Sequence, residues 1–428
     1  MNHIIVLSAV IMLVLLFMKV PVFVSILAGA SVYFIANPKV NDIIFAQRMI
    51  SSNQSTTFLA VPFFAAAGAL MNCTGVTRRI MDFCKTITGR MCGGLAQVNV
   101  LLSTLMGGLS GSNIADAAME AKLLVPEMER AGYSKPFSSV LTATSAIITP
   151  LIPPGIAMIL YGCIAQVSIG KLFVAGIGVG LLLCLALMIL VHFLSKKRGY
   201  LPIREERLSS AALLKAAKPA ILPLMLPILI IGGIRIGVFT ASEAGAVAIC
   251  YAMLLGFVYK EMDMKQFVEA VKDTCVSTGS IMLIVGAASV YAWVLTKEQV
   301  PQALTNWIVN AINSRVLFLL IINVFLLILG MFIEGTASMI VLVPLLAPVA
   351  RAYGIDDIQF AMIYIFNSAI GALSPPMGTL MFVTCGITKC KTKDFIQEAI
   401  PFYLLLIVCL FIITFVPFVS TGLVNLLY

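Results

Sequence analysis

Two short groups of small and polar residues interrupt long apolar segments, and a Pro-rich break follows each group. The first group is SGSN at 110–113, with its break at 149–154, and the second is EGT at 334–336, with its break at 372–376. Proline removes helical hydrogen bonds, so carbonyl oxygens at the breaks are free to bind other groups. Hydroxyl, amide and carbonyl oxygens at short range suit Na⁺. The two groups therefore predict two sodium sites with a substrate between them.

Helices that restart after these interruptions predict where an anionic substrate is held. Their amino-terminal ends carry partial positive charge near the middle of the membrane, which favours a carboxylate without a buried arginine. We expect substrate contacts at the following residues: Asn113, Ala115, Asp116, Gly155, Ala157, Gly378 and Thr379.

Few carboxylates lie within the apolar segments, and an intramembrane carboxylate suggests a function. Asp116 can be interpreted in two ways. It is either a functional carboxylate or a helix cap that binds the free amides after the residues SGSN at 110–113. Glu120 is expected to pair locally with Lys122. Glu243 is expected to begin a helix together with Thr240.

The composition requires a membrane as the solvent for this chain. Hydrophobic residues make up 61% of its 428 residues and charged residues 11%. Soluble domains have about 45–50% and about 25%. The composition predicts an all-α polytopic membrane protein, and the apolar residues 4–18 are expected to be a span, since they lack the features of a signal peptide.

Residue types exclude several activities. The two histidines, His3 and His192, are too few for a histidine metal site or catalytic centre, and the ten cysteines show no CxxC spacing. No GxxxxGK[ST] phosphate-binding loop occurs. We expect neither an enzyme nor a cofactor, with Na⁺ as coupling ion only. The net charge of +9 indicates cytoplasmic loops rather than nucleic-acid binding.

Apolar segments of ~15–23 residues predict ten crossings and two re-entrant hairpins. The hairpins are expected at 91–128 and 315–350. The crossings are expected at 4–18, 20–36, 57–73, 136–168, 172–194, 219–237, 240–259, 274–296, 358–388 and 400–420. With both hairpins entering and leaving on one side, 21 of the 28 Lys and Arg residues lie inside, and both termini lie outside.

Two amphipathic segments, at 41–54 and 260–273, are expected to be surface helices that brace a moving domain.

The two halves of the chain match with a period of about 223 residues and with opposite topology. The segment SAIITPLIPPG at 145–155 aligns with SAIGALSPPMG at 368–378 with a one-residue gap. Paired discontinuous helices in inverted repeats predict a secondary transporter.

This symmetry predicts the domain organisation of the chain. The first repeat is 1–168, with scaffold spans in 4–73, the hairpin at 91–128 and a broken helix at 136–168. A linking span and a basic cytoplasmic loop follow at 169–218. The inverted second repeat is 219–388, with scaffold spans in 219–296, the hairpin at 315–350 and a broken helix at 358–388; residues 389–428 form the C-terminal span.

A family resemblance rests on four segments together: GGLSGSNIADAA, ITPLIPPG, EGTASMIVLVPLLAP and SAIGALSPPMGT. They resemble the large membrane subunit of tripartite ATP-independent periplasmic (TRAP) transporters, the DctM family, and the resemblance covers essentially the whole chain. It implies an elevator mechanism, in which hairpins and broken helices slide against a scaffold, and coupling to sodium. It also implies residence among the lipids of the bacterial inner membrane, a small four-helix membrane subunit and a soluble periplasmic substrate-binding protein.

The resemblance also implies which residues hold sodium. The first site comprises Ser110, Ser112, Thr149, Ile152 and Pro154, with Asn113 beside them. The second comprises Gly335, Thr336, Leu373 and Pro375, with Glu334 and Ser374 beside them. The EGTAS stretch is more similar to the sialic-acid branch, so N-acetylneuraminate is the favoured substrate, and a C4-dicarboxylate is next. Because the chain starts directly at a large-subunit span, the small subunit is expected to be a separate protein.

Two other functions stay open on the residues. One is a stand-alone organic-anion transporter or exchanger of the elevator class, coupled to sodium or driven by protons through Asp116. The other is a passive channel, since inverted hairpins also build channels.

Overall fold

The computed structural model describes residues 3–18, 20–204 and 210–428, and every regular element within these ranges is a helix. The predicted all-α class is confirmed. Lys19 and Arg207, both expected on the inner side, lie outside the described residues, as does the part of the basic loop at 205–209.

The first half of the described chain forms nine helices before the linking helix. They are α1 (His3–Phe17), α2 (Val22–Ala36), α3 (Ile43–Asn53), α4 (Ala60–Asn72), α5 (Val76–Thr88), α6 (Gly94–Ser110), α7 (Asn113–Arg130), α8 (Lys135–Ser145) and α9 (Ile156–Ala165). Short 3₁₀ turns at Thr56–Leu59 and Thr149–Leu151 precede α4 and α9.

The linking helix α10 (Ile169–Arg198) leads into the second half. The described part of that half contains α11 (Ser210–Arg235), α12 (Ala241–Tyr259), α13 (Met264–Lys297), α14 (Val300–Ala311), α15 (Arg315–Gly330), α16 (Gly335–Ala352), α17 (Asp357–Leu373), α18 (Thr379–Thr388), α19 (Thr392–Phe415) and α20 (Phe418–Leu427).

Helix length and apolar character agree with a multi-pass membrane protein. Within the described residues, six helices are each long and apolar enough to cross a bilayer: α10, α11 from Leu214, α12, α13, α16 and α19. Two bent pairs raise the number to eight if each pair is one span. These pairs are Ile43–Asn53 with Thr56–Asn72, at 52°, and Lys135–Leu151 with Ile156–Ala165, at 42°.

The predicted surface helix at 260–273 is wrong as a separate element. Helix α13 runs from Met264 to Lys297 without interruption, and no glycine or proline lies between Met264 and Gly279 to end it. The segment at 41–54 does form its own helix, α3. The expected crossings did not include α5 and α14, the short helices that precede α6 and α15.

Side-chain caps set several helix starts. Thr240 and Glu243 form a capping box: the Thr240 hydroxyl accepts from the Glu243 amide at 3.3 Å, and the Glu243 carboxylate accepts from the Thr240 amide at 2.8 Å. The expectation that Glu243 begins a helix is therefore confirmed. Asp263 and Gln266 form a second capping box at the start of α13.

Hydrogen bonds between polar side chains join the first helix of each interrupted segment to the helix before a break. The joined helices are α6 with α8 and α15 with α17. In the first half, the Asn99 amide of α6 donates to the Thr142 hydroxyl at 2.7 Å, and the Ser145 hydroxyl donates to the Asn99 side-chain oxygen at 2.7 Å. In the second half, the Asn367 amide of α17 donates to the Asn323 oxygen of α15 at 2.6 Å. These buried groups need such partners, because neither apolar side chains nor lipid can hydrogen-bond them.

The two halves interlock through their interrupted helices. Helix α7, which follows the first interruption, packs against α18, which restarts after the second break. Helix α16, which follows the second interruption, packs against α9, which restarts after the first break. Residues at least 170 positions apart in the chain are thereby brought to one place.

Candidate functional site

The first tip, which joins α6 to α7, lies directly against the first break. Gly111 has a positive φ of 63°, and a Cβ on it would lie 2.8 Å from the carbonyl oxygen of Pro154. Only glycine fits this conformation and this approach. The Ser112 hydroxyl then caps α7 by accepting from the Ala115 amide at 3.4 Å.

The first break interrupts the helical ladder between α8 and α9. Helix α8 ends at Ser145, a 3₁₀ turn spans Thr149–Leu151, and α9 restarts at Ile156. The Pro153–Pro154 peptide bond is cis. The Ile156 amide is directed at the Gly111 carbonyl, at 3.5 Å, so the start of α9 faces the first tip.

The second tip and the second break have the same arrangement with different side chains. Glu334 caps α16, since its carboxylate accepts from the Ala337 amide at 3.0 Å. At the break, the Pro375–Pro376 bond is cis and α18 restarts at Thr379. The Leu373 carbonyl, a proposed sodium ligand, accepts from the Tyr403 hydroxyl at 2.9 Å. It keeps its second lone pair.

A small cavity, here called the tip cavity, lies between both tips and both restarted helices. It measures about 60 Å³. Its polar lining residues are Asn113 from the first tip, Glu334, Gly335 and Thr336 from the second tip, Ser368 and Thr379; its apolar lining includes Pro150, Ala157, Ala369 and Ala372.

A second cavity, here called the wide cavity, leads away from the first. It measures about 960 Å³. It shares Asn113, Pro150, Ala157, Glu334 and Thr336 with the tip cavity. From there it extends between α4 and α13 to the last turn of α4 and the first turns of α13.

The expected sodium residues divide into those that line a cavity and those behind it. Ser110, Ser112 and Asn113 line the wide cavity; Glu334 and Thr336 line both cavities, and Gly335 lines the tip cavity. Thr149, Ile152 and Pro154, and likewise Leu373, Ser374 and Pro375, line neither cavity. The second group comprises the residues of the two breaks, which lie behind the tips.

The expected substrate residues divide in the same way. Asn113 and Ala157 line both cavities, Ala115 lines the wide cavity, and Thr379 lines the tip cavity. Asp116, Gly155 and Gly378 line neither.

Ser110 offers an unused oxygen at the first tip. Its side chain is only 8% exposed, and its hydroxyl has no hydrogen-bond partner within the described part of the protein. A buried polar group without a partner is costly and calls for an explanation. A bound cation would supply one, and the neutral oxygens around the tip suit Na⁺. The described residues contain no group of three or more His, Cys, Asp and Glu that could hold a metal ion.

Two carboxylates, Asp116 and Glu120, are buried behind the first tip. Asp116 accepts a hydrogen bond from the Thr149 hydroxyl at 2.9 Å, and Glu120 accepts one from the Ser103 hydroxyl at 2.8 Å. Asp116 is therefore not the cap of α7, which is Ser112. The expected pair between Glu120 and Lys122 is wrong as well, because Glu120 is fully buried whereas Lys122 is exposed.

Sequence patterns missed the contribution of α13. Polar residues at helical spacing place one face of α13 on the wide cavity: Gln266, Glu269, Asp273, Ser277 and Ser280. Their spacing of three or four residues was the available signal. Sequence patterns divided these residues between a surface helix at 260–273 and a span at 274–296. This division concealed the continuous polar face.

The fold is similar to that of a known membrane transporter. The crystal structure of the Alcanivorax borkumensis YdaH transporter matches with a TM-score of 0.60 and 15% sequence identity, covering 87% of this chain and 88% of that one. At this identity the likeness concerns the fold alone.

Sequence comparison identifies the family. Residues 9–419 match the family model described as the DctM component of tripartite ATP-independent periplasmic transporters. The chain is 39% identical over 404 residues to the sialic acid TRAP transporter large permease protein SiaM of Vibrio cholerae, covering 94% of each. It is 37% identical over 383 residues to the C4-dicarboxylate TRAP transporter large permease protein DctM of Pseudomonas aeruginosa, covering 89% of each.

The chain therefore belongs to the DctM family of TRAP transporter large permease proteins. The expected resemblance is confirmed, and with it the prediction of a transport subunit rather than an enzyme.

Proposed function

We propose that this chain imports an organic acid through the bacterial inner membrane, driven by an inward sodium gradient. Its membership of the DctM family supports the role of large permease subunit. The tip cavity carries the proposal for the transport site, because residues from both tips and both restarted helices meet there. Convergence of discontinuous helices is typical of substrate and ion sites in secondary transporters.

The substrate is an anion held by helix ends. Ala157 lies in the first turn of α9, and Thr379 is the first residue of α18. The amino-terminal amides of these helices can bind a carboxylate. Among the described residues that line the tip cavity there is no Lys, Arg or His. N-acetylneuraminate is the favoured substrate, as the resemblance to SiaM suggests, and a C4-dicarboxylate comes next.

Sodium ions order the tips. Ser110, Ser112 and Asn113, together with the backbone of Thr149 to Pro154, supply the first site. Glu334, Gly335 and Thr336, together with the backbone of Leu373 to Pro375, supply the second. Positive charge at both tips reduces the cost of carrying an anion through a medium of low dielectric constant.

Transport proceeds by an elevator mechanism in a chain of two inverted repeats. The contacts of α7 with α18 and of α16 with α9 favour movement of the hairpins and broken helices as one body. The bonds of Asn99 and of Asn323 to the helices before the breaks support equivalent roles for the two halves. Helices α1–α4 and α11–α13 supply the scaffold.

The transporter operates with two partners, a small four-helix membrane subunit and a periplasmic substrate-binding protein. The distribution of Lys and Arg favours both termini on the periplasmic side. In that orientation, the wide cavity opens toward the cytoplasm, since it reaches the first turns of α13, next to Lys260 and Lys265.

Uptake into proteoliposomes tests the proposal. The vesicles contain this chain and the small subunit, with an inward sodium gradient, and labelled N-acetylneuraminate is supplied with or without the binding protein. We expect accumulation that requires both sodium and the binding protein. Sodium-driven uptake without the binding protein would favour a stand-alone carrier. Flux without accumulation would favour a channel. The experiment is repeated with a C4-dicarboxylate, and absence of uptake with both N-acetylneuraminate and the C4-dicarboxylate would reject the proposed substrates.

A further inference from the structure

We propose that Glu269 and Asp273 make the wide cavity an electrostatic exit filter, which repels the released anionic substrate and attracts sodium ions. The inference rests on the proposed function and extends it to the step after transport, the departure of the substrate. It gives two residues of α13 a role in the rebinding of substrate and sodium from the inner side.

All charged side chains that line the wide cavity are acidic within the part of the chain that the structure describes. They are Glu269 and Asp273 on α13 and Glu334 at the second tip. Glu269 and Asp273 are exposed and lie one helical turn apart on the same face. Lys265 and Lys272 belong to the same helix but do not line the cavity.

The wide cavity is also the route to the transport site. It shares Asn113, Glu334 and Thr336 with the tip cavity, so an ion that leaves the tips enters it directly. Ser110, whose hydroxyl is buried and has no partner among the described residues, lines the same cavity. Substrate and sodium therefore pass the two α13 carboxylates on their way to or from the inner side.

The sign of the effect differs between the two solutes. A cleft lined by one sign of charge lowers the local concentration of ions of the same sign and raises that of the opposite sign. Negative charge on α13 therefore weakens rebinding of an anion from the inner side and strengthens rebinding of Na⁺. Because the carboxylates are exposed to solvent, salt screens both effects.

The double variant Glu269→Gln/Asp273→Asn tests the filter in proteoliposomes that contain the full chain and its small subunit. The binding protein and labelled N-acetylneuraminate are supplied outside only. Uptake then reports only those transporters that are inserted with their periplasmic side toward the outside of the vesicle. Unlabelled N-acetylneuraminate or NaCl is varied in the lumen. For each solute we record the half-saturating luminal concentration, at which its effect on uptake is half of the maximum. If a C4-dicarboxylate is the acid that the wild type transports, it replaces N-acetylneuraminate.

In the double variant, we expect the half-saturating luminal concentration of the anion to fall about threefold or more, and that of sodium to rise. Raising the luminal ionic strength with choline chloride should move the wild type toward the variant. The matched control is Lys272→Gln, which removes a charge from the same helix outside the cavity. It should not reproduce this pair of opposite shifts.

Opposite shifts for anion and cation support the filter, because general damage to the protein would move both in one direction. Unchanged values, shifts of the same sign, or insensitivity to salt would overturn it. A wild type that shows no sodium-driven uptake with either acid would reject the proposed function, and the filter with it. Wild-type transport with an unaffected double variant would reject the filter alone.

Discussion

The carbonyl oxygen of Pro154 lies directly against Gly111, 2.8 Å from the place that a Cβ on this glycine would occupy. This contact joins the first tip to the first break. The positive φ of Gly111, 63°, imposes a second restriction on the same residue. Steric space and backbone conformation therefore both require glycine here.

Gly111→Ala should destabilise the protein by about 2 kcal/mol or more, because a left-handed conformation alone costs an alanine about 1–2 kcal/mol and the contact with Pro154 adds to it. Thermal unfolding in detergent measures the change. The matched control is Gly132→Ala: Gly132 also has a positive φ, 87°, but nothing lies within 4 Å of the added methyl group. Equal losses in the two variants would contradict the proposed contact.

Ser110→Ala should raise the sodium concentration needed for half-maximal uptake by about tenfold, which corresponds to about 1.4 kcal/mol. Stability should not fall, because the Ser110 hydroxyl makes no hydrogen bond to any residue that the structure describes. The control is Thr104→Val, which removes from the same helix a hydroxyl that donates to the Val100 carbonyl. Parallel loss of sodium dependence and stability in Ser110→Ala would favour a packing role for this serine.

Ser112→Ala should differ from Ser110→Ala, because the Ser112 hydroxyl also caps α7. Loss of a serine cap costs about 0.5–2 kcal/mol. We expect weaker sodium dependence together with a lower unfolding temperature, measured by uptake and thermal denaturation. An unchanged unfolding temperature would argue that the cap, at 3.4 Å, contributes nothing.

The Glu334 side chain has two roles, as the cap of α16 and as the charge at the second tip, and two variants distinguish them. Glu334→Gln keeps an oxygen for the Ala337 amide but removes the charge, whereas Glu334→Ala removes both. We expect equal weakening of sodium-driven uptake, with a loss of stability of about 1 kcal/mol in the alanine variant only. Full sodium dependence in Glu334→Gln would exclude the carboxylate charge from the second site.

The tips and breaks could be predicted from the sequence because glycine and proline act on their own backbone. The first group at 110–113 coincides with the end of α6 at Ser110 and the start of α7 at Asn113. The break expected at 149–154 lies within the gap between Ser145 and Ile156. The residue types at these positions are therefore sufficient to predict where the helices are interrupted.

Side-chain direction could not be predicted in the same way. Asp116 and Glu120 lie close to the first tip in the sequence, yet their carboxylates point to Thr149 and Ser103 rather than into a cavity. These orientations depend on the packing of α7 against α6, α8 and α18. Helix periodicity places residues on a face, but it does not say which neighbour that face meets.

The length of α13 has a consequence for the lipid surroundings of the protein. Its 34 residues make a rod of about 51 Å, whereas the hydrocarbon layer of a bilayer is about 30 Å thick. The helix must tilt or extend into the head-group region, and its charged first turns favour the latter. Bilayer thickness then determines how deeply Glu269 and Asp273 lie, so hydrophobic mismatch should tune substrate release in lipids of different chain length.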